Sequence, residues 1–284
     1  MASVATQALP LAIRRRWLGV LLQILGALLL LVLIPIAFGM RWQNFLPLFR
    51  PSSLRFLSIG VLATVIVSLA AIVISLPLAT GLALGRLAKQ PWIHWPCIGF
   101  VEIVRSLPLL LLIFYINLRF PGLGVFEGSL GGEGYFNIVL TAIFSRAGLA
   151  TALALMIYTA AVNAELLRSG ILSLERGQNE AARSLGMTYW QAMRLVILPQ
   201  AFRRILAPLI AQFTILLKDT SLGSIIGFVE LQRRAVILYQ RDFNPLEALY
   251  VVALIYFVLN YLLGLSSKLI ERSRTSVQVR LSEV

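Results

Sequence analysis

Charge is scarce in this chain. Only 13% of its 284 residues are Asp, Glu, Lys or Arg, about half the share of an average soluble domain, too few to cover a soluble surface of this size. Cysteine and histidine are nearly absent. The single Cys97 has no partner for an internal disulfide, and the single His94 cannot build a metal site alone. Zinc chemistry and Ser–His or Cys–His nucleophile relays therefore have little material here. Both residues stand at the start of an apolar stretch, where packing and interface placement account for them. The sequence also lacks a G-x-x-x-x-G-K-[ST] phosphate cradle, an internal repeat, a heptad run and a low-complexity linker.

What the chain has instead is apolar length. Hydrophobic residues make up 59% of it and the mean hydropathy is +0.86. Six stretches approach or exceed the ~20 residues that a helix needs to cross a bilayer. They fall at residues 17–39, 56–85, 97–118, 147–167, 205–229 and 248–267. This excludes a soluble enzyme, a disordered chain and a secreted disulfide scaffold, and predicts an all-α integral membrane protein of about six spanning helices. Residues 1–13 read as a loose tail. Arg14, Arg15 and Arg16 precede the first run, which is too long for a signal-peptide core and has no small-x-small cleavage site after it. An uncleaved first span is expected, with residues 1–55 standing apart from a main membrane unit at 56–270 and a tail at 271–284.

The formal charge of +13 would suggest nucleic acid in a soluble protein. In a membrane protein it points to loops beside anionic lipid. Fifteen Lys and Arg lie in residues 1–16, 86–96, 168–204 and 268–284, against eight in the alternate loops. The positive-inside rule then puts both termini and the 168–204 loop in the cytoplasm.

Some charges fall inside the spans, where each costs ~2.5 kcal/mol or more, so they face protein or water and are functional candidates. Glu102 and Arg105, three apart on one helix face, can neutralise each other. Lys218 and Asp219 are adjacent and point apart, so each needs its own partner. Pro108 and Thr220-Ser221 are places where helices loosen and expose backbone groups. These charges serve either as ion pairs that fix packing, the reading that suits Glu102 and Arg105 better, or as contacts for a solute. Glu165 and Arg168, near the cytoplasmic rim, read as supports of the loop that follows.

That loop carries the most information. Between Gly177 and Leu185 a helix of about nine residues is predicted, ended by Gly186 in the left-handed conformation that often terminates helices. Thr188 and Gln191 form a capping box for a second helix, which runs toward Leu198 before Pro199. The first helix presents Ala181, Ala182 and Leu185 to a partner, with Glu180 and Arg183 on its flanks. A knob that docks into a cytoplasmic protein and an amphipathic hairpin on the lipid surface both fit this physics.

The spelling is more specific. Glu180-Ala181-Ala182, Gly186 and Val196-Ile197-Leu198-Pro199 resemble the E-A-A-x3-G-x9-I-x-L-P loop of the membrane subunits of bacterial ABC importers. Three further segments are similar to the polar amino acid branch of that family: Ala164-Glu165-Leu166-Leu167-Arg168-Ser169-Gly170-Ile171, Leu217-Lys218-Asp219-Thr220-Ser221-Leu222 with Ile226-Gly227, and Glu102 through Leu110. The resemblance covers residues 58–270 and implies a type I importer fold. It implies two permease subunits, identical or related, cytoplasmic ATPase subunits and an outer substrate-binding protein. In that arrangement residues 177–186 are the coupling helix that docks on the ATPase, through Glu180, Ala181, Ala182, Leu185 and Gly186. It implies no cofactor or metal on this chain, ATP hydrolysis on a partner and residence in the bacterial inner membrane. An amino acid in transit is a zwitterion. Arg105 or Lys218 suits its carboxylate, and Asp219 or Glu102 its ammonium, with Thr220 beside them. Two other readings remain at this stage. A self-sufficient secondary transporter needs a coupling-ion site and usually an internal repeat. A membrane scaffold that recruits a protein leaves the intramembrane charges without a role.

Overall fold

The computed structural model describes residue 29 and residues 33–124 and 134–282. Among the described residues the chain is helical, with short 3-10 and π segments and no strand. A 3-10 stretch, Trp42–Phe49, leads into α1, Pro51–Arg86. At 1.5 Å per residue the 36 residues of α1 extend ~54 Å. That exceeds a hydrocarbon core of ~30 Å, so α1 tilts or projects beyond it.

The third expected span is not one helix. It forms α2, Pro91–Ser106, and α3, Leu109–Arg119, bent by 102° at the break. Pro108 is the cause. The residue before a proline is driven out of the helical region, and Leu107 accordingly sits at φ −80°, ψ 137°. The stretch between 119 and 146, expected to be a plain loop, contains a further apolar helix, α4, Tyr135–Phe144. Ten residues are too few to span, so a search for spanning lengths passes over it.

Ser145 caps α5, Arg146–Leu172, accepting from the Gly148 N–H at 3.1 Å. After α6, Arg176–Ser184, comes α7, Tyr189–Ala192, opened by the expected Thr188–Gln191 capping box. The helix expected to stop before Pro199 continues instead. A π turn, Met193–Ile197, joins α7 to α8, Leu198–Asp219. The wider turn absorbs the missing proline N–H and makes room for its ring. Beyond α8 the chain tightens into a 3-10 segment, Thr220–Ile226, ended by Gly227 at φ 97°. Then follow α9, Leu231–Asp242, and α10, Pro245–Ser282.

Among the described residues, four helical stretches are long and apolar enough to span, and the bent α2–α3 pair makes a fifth. The expected first span, 17–39, lies outside the described residues except for 29 and 33–39.

The core is the seam between α1 and α5. Ala63 and Ala71 on α1 share a buried cluster with Leu155 on α5, Ala79 with Ala161 and Ala164, and Ala83 with Leu167 and Ile171. Small side chains bring two backbones close where lipid offers no hydrophobic drive for association. In the most apolar window of α5, 56% of residues are buried, against 11% for α10, so α10 is peripheral. Antiparallel α5 and α8 are held in register at two glycines. A Cβ on Gly170 would lie 2.5 Å from Ile205 Cγ2, and one on Gly223 would lie 2.5 Å from Thr151 Oγ1.

Gly148 is tighter still, since a Cβ there would strike the carbonyl oxygens of Ala142 and Ile143 at the α4–α5 elbow. Backbone cannot give way as a flexible side chain can. Gly148→Ala is expected to destabilise the protein by ~1–3 kcal/mol, read as a lower thermal midpoint in detergent. An unchanged midpoint would show that the elbow relaxes freely.

Candidate functional site

Two features of the molecule carry chemistry or mechanics, and both lie toward the α6 end. The first is α6 itself. Its last turn closes as a Schellman motif: Gly186 N donates to Arg183 O at 2.9 Å and Met187 N to Ala182 O at 3.2 Å, with Gly186 at φ 80°. Ala182 is 3% exposed and packs into the chain, whereas Leu185 is 80% exposed and Glu180, Ala181 and Gly186 are also open. Of the small residues expected to face a partner, Ala182 is thus the anchor of α6 on its own body, and Ala181 and Leu185 are the free surface. The base is braced on both sides. Arg204 donates to the Ser173 carbonyl and, at 3.3 Å, to its hydroxyl, and Gln200 Nε2 donates to Gln178 Oε1 at 3.1 Å.

The second feature is a knot of five charges. Glu165 on α5 accepts from Arg86 Nη1 at 2.5 Å and from Arg168 Nη2 at 2.6 Å, and Arg105 Nη1 stands 4.0 Å away. Glu102 reaches Arg86 Nη2 at 3.2 Å. The expected Glu102–Arg105 pair does not form. Both residues lean toward other helices, because a carboxylate on α5 and a guanidinium at the end of α1 offer better geometry than an intrahelical partner. Arg86 was read from the sequence as one more loop cation. It is instead the most buried member, with a side chain 10% exposed against 56% for Glu102. The signal was its place at the end of a thirty-residue uncharged run. Three guanidiniums against two carboxylates leave one positive charge in excess, on side chains that are partly open.

Lys218, Asp219 and Thr220 lie elsewhere. Lys218 is exposed, Asp219 half-buried and Thr220 fully buried. Among the described residues no carboxylate is within ion-pair distance of Lys218. Thr220 and Ser221 were expected to free backbone groups. Their hydroxyls instead satisfy carbonyls, Thr220 Oγ1 donating to Leu217 O at 2.7 Å and Ser221 Oγ to Lys218 O at 2.6 Å. The α5–α8 register puts Lys218 about nine residues of α5, or ~13 Å, from Glu165. A zwitterion whose two charges share one carbon cannot bridge that distance, so the two groups cannot hold one such solute together.

An all-helical bundle of spanning helices, with a rigid helical knob between two of them and partly open charges inside, defines a multi-pass membrane transport component. The comparisons make this specific. Residues 75–276 match the family described as binding-protein-dependent transport system inner membrane component, and the chain belongs to that family. It is 35% identical over 240 residues to a protein of Bacillus subtilis described as a probable glutamine ABC transporter permease, covering 82% of this chain and 100% of that one. A glutamate/aspartate import permease of Escherichia coli is 32% identical over 219 residues, 77% of this chain and 91% of that one. Among solved structures, an amino acid ABC transporter crystallised with histidines is similar with a TM-score of 0.65 and 32% identity, over 78% of this chain and 95% of that one. The fold is the type I ABC permease fold.

Because Glu165 is the shared acceptor, its coupling to Arg86 is expected to exceed that of Glu102 to Arg86. A double-mutant cycle on Arg86→Gln and Glu165→Gln, read from thermal unfolding in detergent, is expected to give more than about 1 kcal/mol. The Arg86–Glu102 cycle is expected to give less, as half-exposed pairs do. Equal values would deny Glu165 its central place.

Proposed function

We propose that the chain is the permease subunit of an ATP-driven importer, that it forms the translocation pathway for a polar or neutral amino acid, and that α6 is the coupling helix docked on a cytoplasmic ATPase subunit. A second permease subunit completes the pathway, and an outer binding protein delivers the solute. The α6 end faces the cytoplasm, and both termini lie on that side of the bacterial inner membrane.

The observation that carries this reading is the construction of α6. A nine-residue helix, sealed at Gly186 and braced on α5 and α8, offers Glu180, Ala181 and Leu185 to the outside of the chain. A lipid-surface hairpin would have no use for such rigidity. The excess of Lys and Arg in the loops on the α6 side supports the orientation. The amino acid substrate is supported by the relatives, whose printed names include glutamine and glutamate/aspartate. Arg105 and the other charges around Glu165 then serve as one station for the solute, and Lys218 with Asp219 and Thr220 as another.

Co-purification tests the assembly. Tagged protein is expected to bring down an ATPase whose hydrolysis rises with the loaded binding protein. Solute movement by this chain without an ATPase would mark a secondary transporter, and partner capture without transport would mark a scaffold.

Gly186→Asp is expected to abolish ATPase capture while the protein still inserts. The backbone there is left-handed, so a side chain strains the seal of α6, and the docking face gains a charge. Normal transport by that variant would refute the coupling role. Lys218→Ala is expected to change substrate affinity or turnover and leave ATPase capture intact, as measured by uptake into proteoliposomes. An unaltered transport profile would remove Lys218 from the pathway.

A further inference from the structure

The end of the molecule opposite α6 holds a buried cation that has no ion-pair partner among the described residues. Arg234, on α9, is 2% exposed. Its stem crosses α1 at Gly60, where a Cβ would stand 2.8 Å from Arg234 Cδ, and its guanidinium lies 4.4 Å over the Phe56 ring. No carboxylate among the described residues is within 4 Å, and Nε has no hydrogen-bond partner. Burial lowers this group to about 10, so it stays cationic at neutral pH. Glu230, one turn earlier, is already committed. It accepts from Gln232 N and Arg233 N at 2.8 Å, from Tyr256 Oη at 3.0 Å and from Thr64 Oγ1 at 3.4 Å. Buried charges are normally paired, and no such pair is found for Arg234 among the described residues.

Arg234 borders a crevice of about 480 Å3, shared with Arg146, Thr141, Ser145, Ala147 and Val229 and with no Asp or Glu in its lining. Arg146 uses Nε on Asn117 Oδ1 at 3.2 Å, and its side chain is exposed at the first residue of α5. The first turn of α5, a 27-residue helix, adds the positive end of its dipole. Three sources of positive potential therefore meet over a mainly apolar wall.

We propose that this crevice binds the phosphate of an anionic phospholipid between Arg234 and Arg146, with the glycerol and upper chains on Ile138, Ala142, Ala147 and Val229. The depth fits, because the crevice lies where the spanning helix α5 begins, at the level of head groups. A zwitterionic solute fits poorly, since the lining has no carboxylate among the described residues to receive an ammonium. Arginine forks suit phosphate oxygens.

The test titrates the full-length purified protein in detergent with dioctanoyl phosphatidylglycerol, dioctanoyl phosphatidylcholine or inorganic phosphate, and reads the thermal midpoint. Phosphatidylglycerol is expected to raise the midpoint saturably, with little response to the other two. Arg234→Gln and Arg146→Gln are each expected to weaken the apparent affinity by about tenfold or more, whereas Lys89→Gln, outside the crevice, is expected to bind as the natural chain does. Equal responses to both lipids overturn the proposal. So does an equal response to inorganic phosphate, which would make the ligand a free ion. If Arg234→Gln does not fold, Arg146→Gln decides: undiminished affinity for phosphatidylglycerol in that variant refutes the site.

Discussion

The alanine seam between α1 and α5 is the constraint on which the rest of the molecule depends. Two helices that approach through Ala63, Ala71, Ala79 and Ala83 on one side and Leu155, Ala161, Ala164 and Leu167 on the other have little freedom to slide. Their ends are therefore fixed together. At one end Arg86 finishes α1 within hydrogen-bond reach of Glu165 on α5. At the other, Phe56 and Gly60 on α1 receive Arg234 close to the beginning of α5. Both charged features are consequences of one close-packed register, not independent inventions.

The two ends also show opposite solutions to the cost of burying charge. Around Glu165 the chain supplies its own counter-ions, and each carboxylate has at least one guanidinium within 4 Å. Desolvation is offset by short charge-assisted bonds. At the Arg234 end the carboxylate one turn away, Glu230, has its oxygens filled by backbone amides and hydroxyls, and the guanidinium rests on an aromatic face. A cation–π contact recovers part of a lost hydration shell. It offers no acceptor for the guanidinium N–H groups, and the buried Arg234 Nε stays without a partner.

Much of this was legible in the sequence, for reasons particular residues make clear. Apolar length gave α1, α5, α8 and α10, because a span needs many uncharged residues in a row and few other structures do. The capping box at Thr188 and the left-handed Gly186 are local rules that depend only on neighbours, and both hold. What failed depended on distant partners. Glu102 and Arg105 are neighbours on a helix, but the better acceptor, Glu165, lies on another helix and sixty residues on. Pro199 reads as a terminator until the π turn before it is seen. The α4 helix is shorter than any spanning rule admits, and Arg234 looks like an ordinary loop cation because nothing local reveals that α9 folds back across Gly60.

If α6 is the proposed coupling helix, these attachments decide how a push on it travels. The helix is too short to bend and its last turn is sealed, so a displacement passes to its bases. One base is the end of α5, through Ser173 and Arg204, and the other is the start of α8, through Gln200. Helix α5 carries Glu165 and α8 carries Lys218, the two proposed stations. The seam resists sliding of α5 along α1, so the compliant path is α8, whose entry through the π turn Met193–Ile197 already departs from regular helical bonding. Motion of α6 would then shift α8 against α5 before it disturbs the α1–α5 core. A knob tied to both proposed stations, with one rigid and one yielding root, would convert a movement outside the membrane into a change of spacing within it.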